Sequence, residues 1–252
     1  MRYFIRFSYK GTDFHGSQIQ HNGITVQEVL QQAMTTLLRE PISVVFAGRT
    51  DAGVHAQMMW AHWDWAGEIP MPLPTLMQRL NNLLPSAIAI QEIRPVTPEA
   101  HARYTALSRT YEYRVTEVKN PFVDQLCVRV PENMDYALMN EAAAMLIGRH
   151  DFASFCKTHT DVKTTFCTIE RAFWTVYPDK TAIFTIEANR FLRNMVRAVV
   201  GTLWMVGRHQ LTLEQFADII AARNRCQAGQ SAPPEGLYLI QVTYPETIFI
   251  GS

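Results

Sequence analysis

The chain has 252 residues, 48% of them apolar and 18% charged, which excludes a disordered polymer and allows a substantial core in one large or two ordinary domains. Its 23 basic and 23 acidic side chains balance, which excludes coating nucleic acid through bulk charge but leaves room for a local basic patch. The four cysteines, Cys127, Cys156, Cys167 and Cys226, are scattered without a Cys-x-x-Cys pair, so neither a zinc site nor a disulfide framework is expected.

No run reaches the roughly 18 apolar residues of a membrane span, and residues 1–6 carry no long apolar stretch of the export type. These features predict a cytoplasmic protein without membrane association.

Residues 2–8 alternate as a strand, with Tyr3, Ile5 and Phe7 on one side. A turn-rich loop from Gly11 to Gly16 follows. Thr25 and Glu28 then open a helix, and Val26, Val29, Leu30, Ala33, Met34 and Leu37 share one of its faces. Pro41 ends it. Residues 42–46 and 55–65 read as strands, a helix around Pro74 carries Leu76, Met77, Leu80, Leu83 and Leu84, and residues 88–93 form another strand. The order β-α-β-β-α-β over the first 95 residues or so is that of a ferredoxin-like unit.

The second half repeats that order with one extra helix. Residues 107–118 form a strand with Tyr111, Tyr113 and Val115 on one side. Asp135 caps a helix with Leu138, Ala142, Met145 and Leu146 as its buried stripe, and Gly148 fits the position just past its end. Residues 169–177 and 181–188 flank the hairpin turn Pro178-Asp179. A long helix over 191–206, a short one over 213–222 and a strand over 237–244 complete the chain. The expected fold is α+β: two ferredoxin-like halves, residues 1–104 and 105–252, forming a central antiparallel sheet with a cleft between them.

Two stretches stand out chemically. The first is Ala47-Gly48-Arg49-Thr50-Asp51-Ala52-Gly53-Val54-His55, where an apolar run leads into two glycines enclosing an arginine, a threonine and an aspartate. Glycine permits a tightly shaped loop, and a carboxylate at its tip can be a nucleophile, a metal ligand or a turn cap. No Gly-Lys-Ser/Thr follows, so a phosphate-binding P-loop is excluded. The second is residues 190–197, where Arg190, Arg193 and Arg197 fall on one side of the predicted helix and Leu192, Met195 and Val196 on the other. Arginines without intervening carboxylates suit phosphate binding, a solvated face, or neutralisation of a buried carboxylate such as Asp51. Tyr111 fits equally as a core aromatic, a base-stacking face or a proton-transfer group. The eight histidines show no metal-ligand spacing, and no serine-nucleophile elbow occurs.

The stretch Gly48–Arg49–Thr50–Asp51–Ala52–Gly53–Val54–His55 resembles the signature of the TruA family of tRNA pseudouridine synthases. Further collinear segments resemble the same family. They are Phe7-Ser8-Tyr9-Lys10-Gly11 through Gly16-Ser17-Gln18, His101-Ala102-Arg103-Tyr104, Arg109-Thr110-Tyr111-Glu112-Tyr113, and Asp151-Phe152-Ala153-Ser154-Phe155. Phe191-Leu192-Arg193-Asn194-Met195-Val196-Arg197, Gly201-Thr202-Leu203, Asn224-Arg225 through Ala232-Pro233 and Glu235-Gly236-Leu237-Tyr238-Leu239 extend the likeness over nearly the whole chain.

The resemblance implies an isomerase that converts uridine to pseudouridine in the tRNA anticodon arm at positions 38 to 40. Asp51 is then the nucleophile, Tyr111 lies against the base, Arg197 pairs with Asp51, and Arg49 braces the space left by the flipped nucleotide. It implies tRNA as partner, a homodimer, and no cofactor or metal. Two positions depart from the family pattern: Ser17 replaces tryptophan in Gly-Trp-Gln, and Asn224-Arg225-Cys226 replaces Asp-Arg-Ser. Both fall in segments expected near RNA. A nucleoside or glycoside hydrolase and a non-catalytic RNA-binding module are the competing readings; the first lacks an evident second carboxylate near Asp51 in sequence, the second an aromatic RNP1-like run.

Overall fold

A computed structural model describes residues 1–157 and 163–251. Their contacts divide into two compact units. One comprises Met1–Leu107 and the segment from Tyr238 onward; the other is Ser108–Leu237.

In the first unit the elements are β1 (Arg2–Tyr9), α1 (Val26–Leu38), β2 (Val45–Phe46), β3 (His55–Asp64), α2 (Leu73–Leu83) and β4 (Ile88–Val96). β1 lies between β3 and β4, antiparallel to both, with Ile5 opposite Ala61 on one side and Ile93 on the other. β2 adds to β3 antiparallel, Val45 opposite His62. This is the ferredoxin-like arrangement expected from the element order. Helix α1 buries Val26, Leu30, Ala33, Met34 and Leu38, close to the stripe read from its period, and Thr25 caps it by accepting a hydrogen bond from the Glu28 N–H.

Only Val45 and Phe46 of the expected 42–46 strand join the ladder. The reason lies on α1. Its polar side chains Thr35, Gln31 and Gln27, one turn apart, take over the backbone groups of this segment. Thr35 Oγ1 accepts from the Ile42 N–H at 3.1 Å, Gln31 Oε1 accepts from the Val44 N–H at 3.0 Å, and Gln27 Nε2 donates to the Val44 carbonyl at 2.8 Å. Main-chain groups satisfied by side chains need no strand partner.

The second unit contains β5 (Ser108–Thr116), β6 (Val128–Arg129), α3 (Tyr136–Ala144), β7 (Gly148–Asp151), β8 (Phe166–Val176), β9 (Thr181–Ala188), α4 (Met195–Gly207) and α5 (Leu213–Ala222). β7, β8 and β9 form an antiparallel meander, β9 continues antiparallel to β5, and β6 pairs with β5 in parallel. The β8–β9 turn is closed by Asp179, whose carboxylate accepts from both the N–H and the hydroxyl of Thr181. Gly148 departs from expectation. Helix α3 ends at Ala144, and Gly148, with φ of 103°, opens β7 instead of terminating the helix.

β10 (Leu237–Thr243) follows, and pairs in parallel with β3, Tyr238 opposite His55 and Leu239 opposite Ala56. The units therefore divide between Leu107 and Ser108 but do not follow chain order, whereas sequence order alone assigned all of 105–252 to the second half. A strand joins whichever edge offers matching backbone groups, however distant in sequence. β3 provides such an edge, occupied by β2 near its end and by β10 near its start. The protein is thus α+β with predominantly antiparallel pairing. Among the described residues no helix is long and apolar enough to cross a membrane.

Candidate active site

The loop between β2 and β3 carries Arg49, Thr50 and Asp51. Arg49 is exposed, Asp51 half-buried and Thr50 buried. Thr50 is fixed through all of its polar groups. Its N–H donates to Ser17 Oγ at 2.8 Å, its carbonyl accepts from the Ser17 N–H at 3.1 Å, and its hydroxyl lies 2.7 Å from the Tyr9 hydroxyl. The Asp51 carbonyl accepts from the Val54 N–H at 3.2 Å, closing a turn in which Gly53 has φ of 80°. Asp51 is therefore carried on a short turn anchored on both sides.

Two glycines make the close approach possible. Gly16, with φ of 90°, sits where a Cβ would come within 3.0 Å of the Thr50 carbonyl oxygen. Gly11 packs on the Val54 carbonyl and donates its N–H to His55 Nδ1 at 3.0 Å. The His55 ring in turn stacks on Tyr238 at 4.6 Å between centroids. The loop of residues 11–17 and the loop of 47–55 thus form one bonded structure.

Tyr111 and Arg197 belong to the second unit. Tyr111 is half-buried on β5, its ring edge-on to Phe191 at 5.1 Å. Its neighbour Tyr113 is a core residue: fully buried, with its hydroxyl donating to the Pro233 carbonyl at 2.7 Å. Burial pushes the Tyr113 phenol above its usual pKa range, so it stays a neutral donor.

Arg197 lies in the first turn of α4. Its Nε donates to the Ala232 carbonyl at 2.7 Å, and the Ala232 N–H donates back to the Arg197 carbonyl at 2.9 Å. The other two arginines of the expected helical face are not on the helix. Asn194 adopts a left-handed conformation, φ 65° and ψ 4°, which ends regular geometry and delays α4 to Met195. Arg190 and Arg193 precede that break, and Arg193 is exposed with its carbonyl accepting from the Lys157 N–H. The single arginine row read from the 3.6-residue period does not form.

The segment 224–232 that supports Arg197 is internally braced. Asn224 Oδ1 accepts from the Cys226 N–H at 3.0 Å, an acceptor role that aspartate in the family pattern would also fill. Arg225 donates to the Gly229 carbonyl and to Ser231 Oγ, and Thr202 Oγ1 accepts from the Gly229 N–H at 2.9 Å.

A family model described as tRNA pseudouridine synthase matches residues 6–105 and 142–245. The chain belongs to the TruA family of tRNA pseudouridine synthases. Among its TruA relatives, a tRNA pseudouridine synthase A of Parabacteroides distasonis is 52% identical over 98% of both chains. That of Porphyromonas gingivalis is 48% identical over 99% of both, and that of Exiguobacterium sibiricum 36% identical over 98% of both. The matched segments of this TruA family member include Arg49, Asp51 and Arg197, while Tyr111 falls between them.

Sequence reasoning assigned no role to Ser17 or Tyr9, the two side chains that hold Thr50. Their only signal was position in a segment resembling the family opening, and at Ser17 this chain departs from that pattern.

Proposed function

We propose that this family member isomerises uridine to pseudouridine in the anticodon arm of tRNA, at positions 38 to 40, with Asp51 as nucleophile. The reading is carried by Asp51 itself, a half-buried carboxylate on a turn whose preceding residue is anchored through its N–H, carbonyl and hydroxyl groups. Such anchoring is what a nucleophile needs, because reacting groups misplaced by about 1 Å can lose about a hundredfold in rate.

The reaction breaks the bond from uracil N1 to ribose C1′ and forms one from C5 to C1′; the C5 proton is lost and N1 gains one. No electrons leave or enter. The Asp51 carboxylate attacks either C6 of the base or C1′ of the sugar, or acts through a glycal, and each route preserves that balance. Tyr111 provides a ring face for the base and assists removal of the C5 proton. Arg197 pairs with Asp51, and exposed Arg49 occupies the space of the everted nucleotide. The enzyme acts in the cytoplasm as a homodimer on a tRNA partner, using no cofactor or metal.

The test uses unmodified tRNA tritiated at uridine C5, with wild-type protein and Asp51→Ala. Tritium release by the wild type alone, with pseudouridine mapped to the anticodon arm, is the expected result. Free uracil and an abasic site would instead indicate a hydrolase. Binding without release by either protein would indicate a binding module.

A further inference from the structure

We infer that Ser17 is a positioning residue for the Asp51 nucleophile, linking the N-terminus of helix α1 to the catalytic turn. This rests on Asp51 being the nucleophile.

Ser17 is fully buried and uses three groups in two directions. Toward the helix, its carbonyl accepts from the Gln27 N–H at 3.0 Å, and the neighbouring Gly16 carbonyl accepts from the Val26 N–H at 3.3 Å. These N–H groups belong to the first turn of α1, where no intrahelical acceptor exists. Toward the catalytic turn, the Ser17 N–H and hydroxyl engage the carbonyl and N–H of Thr50. Thr50 is bonded through the peptide chain to Asp51, so any rotation of the Thr50 backbone is passed directly to the carboxylate.

The side chain contributes one distinct element. Without Oγ the Ser17 N–H still reaches Thr50, but the Thr50 N–H loses its acceptor. Two bonds to the Thr50 main chain define its orientation, whereas one, beside the Tyr9–Thr50 hydroxyl contact, leaves the peptide free to tilt. The hydroxyl is therefore the part of the link that fixes the direction of the turn. It occurs where this sequence departs from the family's Gly-Trp-Gln pattern.

A structural role alone would lower thermal stability and leave turnover of the folded enzyme unchanged. Positioning would lower kcat while leaving KM for tRNA unaltered, because the buried Ser17 hydroxyl is engaged by the Thr50 N–H. The experiment measures kcat, KM and melting temperature for wild type, Ser17→Ala, Ser17→Cys and Asp51→Ala, with the kinetics taken well below every melting transition. Expected for Ser17→Ala is a kcat loss of roughly tenfold to a hundredfold with KM within about twofold of wild type. Ser17→Cys, which keeps a weaker acceptor at that position, recovers part of the loss.

Wild-type kcat in folded Ser17→Ala, with Asp51→Ala inactive, overturns the positioning role and leaves the nucleophile assignment standing. If Ser17→Ala does not fold, Ser17→Cys decides: reduced kcat at unchanged KM supports the role, and wild-type kcat overturns it. Turnover by Asp51→Ala removes the nucleophile assignment and the inference with it.

Discussion

Gly11 lies directly against the carbonyl of Val54: a methyl carbon on Gly11 would stand 2.0 Å from the Val54 oxygen. That distance is far inside any van der Waals contact, and the obstacle is backbone. Gly11→Ala must therefore push the 47–55 loop away from the 11–17 loop. It is expected to destabilise the protein by about 2–3 kcal/mol, read as a lower urea midpoint at unchanged m. Turnover falls as well, because Val54 closes the turn that carries Asp51.

Thr202 ties helix α4 to the 228–232 segment in the second unit. It is fully buried, donates its hydroxyl to the Ala198 carbonyl at 2.7 Å and accepts from the Gly229 N–H. Thr202→Val keeps the shape but leaves that N–H without its acceptor, at a cost of about 1–3 kcal/mol. The melting temperature should fall. Activity should fall with it if the 228–232 segment holds Arg197 for the reaction, and activity intact at 25 °C would separate the two.

His62 gives the fold an acid sensitivity. Its Nδ1 accepts from the Ala102 N–H at 3.1 Å, and burial first, then Arg2, lowers its pKa from 6.5 to about 4. Between those values the unfolded chain binds a proton that the folded chain refuses. Stability therefore declines as pH falls from about 6.5 to 4, by at most about 1.4 kcal/mol per pH unit from this group, and flattens below. His101, beside it at 4.6 Å between ring centroids, is lowered for the same leading reason and adds in the same direction. His62→Asn, which keeps an acceptor without a titrating ring, should reduce the slope of denaturation midpoint against pH; an unchanged slope would assign the sensitivity elsewhere.

Tyr111→Phe keeps the ring and its edge contact with Phe191 while removing the hydroxyl. Single-turnover rates and tRNA affinity separate its two possible duties. A rate loss of roughly tenfold or more at unchanged affinity identifies the hydroxyl as a proton-transfer group. An unchanged rate, with Tyr111→Ala weakened in both, identifies the ring face alone.

Much of this protein is legible locally. The 3.6-residue period placed the buried stripe of α1, Thr25 and Glu28 marked its start, and Pro178-Asp179 marked the β8–β9 turn. Each of these depends on residues within a few positions of one another, so propensity and spacing suffice. The glycine-bounded turn bearing Asp51 was visible for the same reason.

Other features were decided by partners far away in the chain. Residues 42–44 had a strand pattern, yet their backbone groups are satisfied by Thr35, Gln31 and Gln27. The helix pattern ran back to Phe191, yet Asn194 turns left-handed while its side chain donates to Ser231 Oγ. β10 joined β3 across most of the chain length, and Ser17 met Thr50 across 33 positions. The sequence by itself determined most of the element types, the family and the candidate nucleophile, because these are written in short-range patterns. Only the tertiary structure decided which acceptor each backbone N–H would find, because that choice depends on which groups the folded chain brings within about 3 Å of each other.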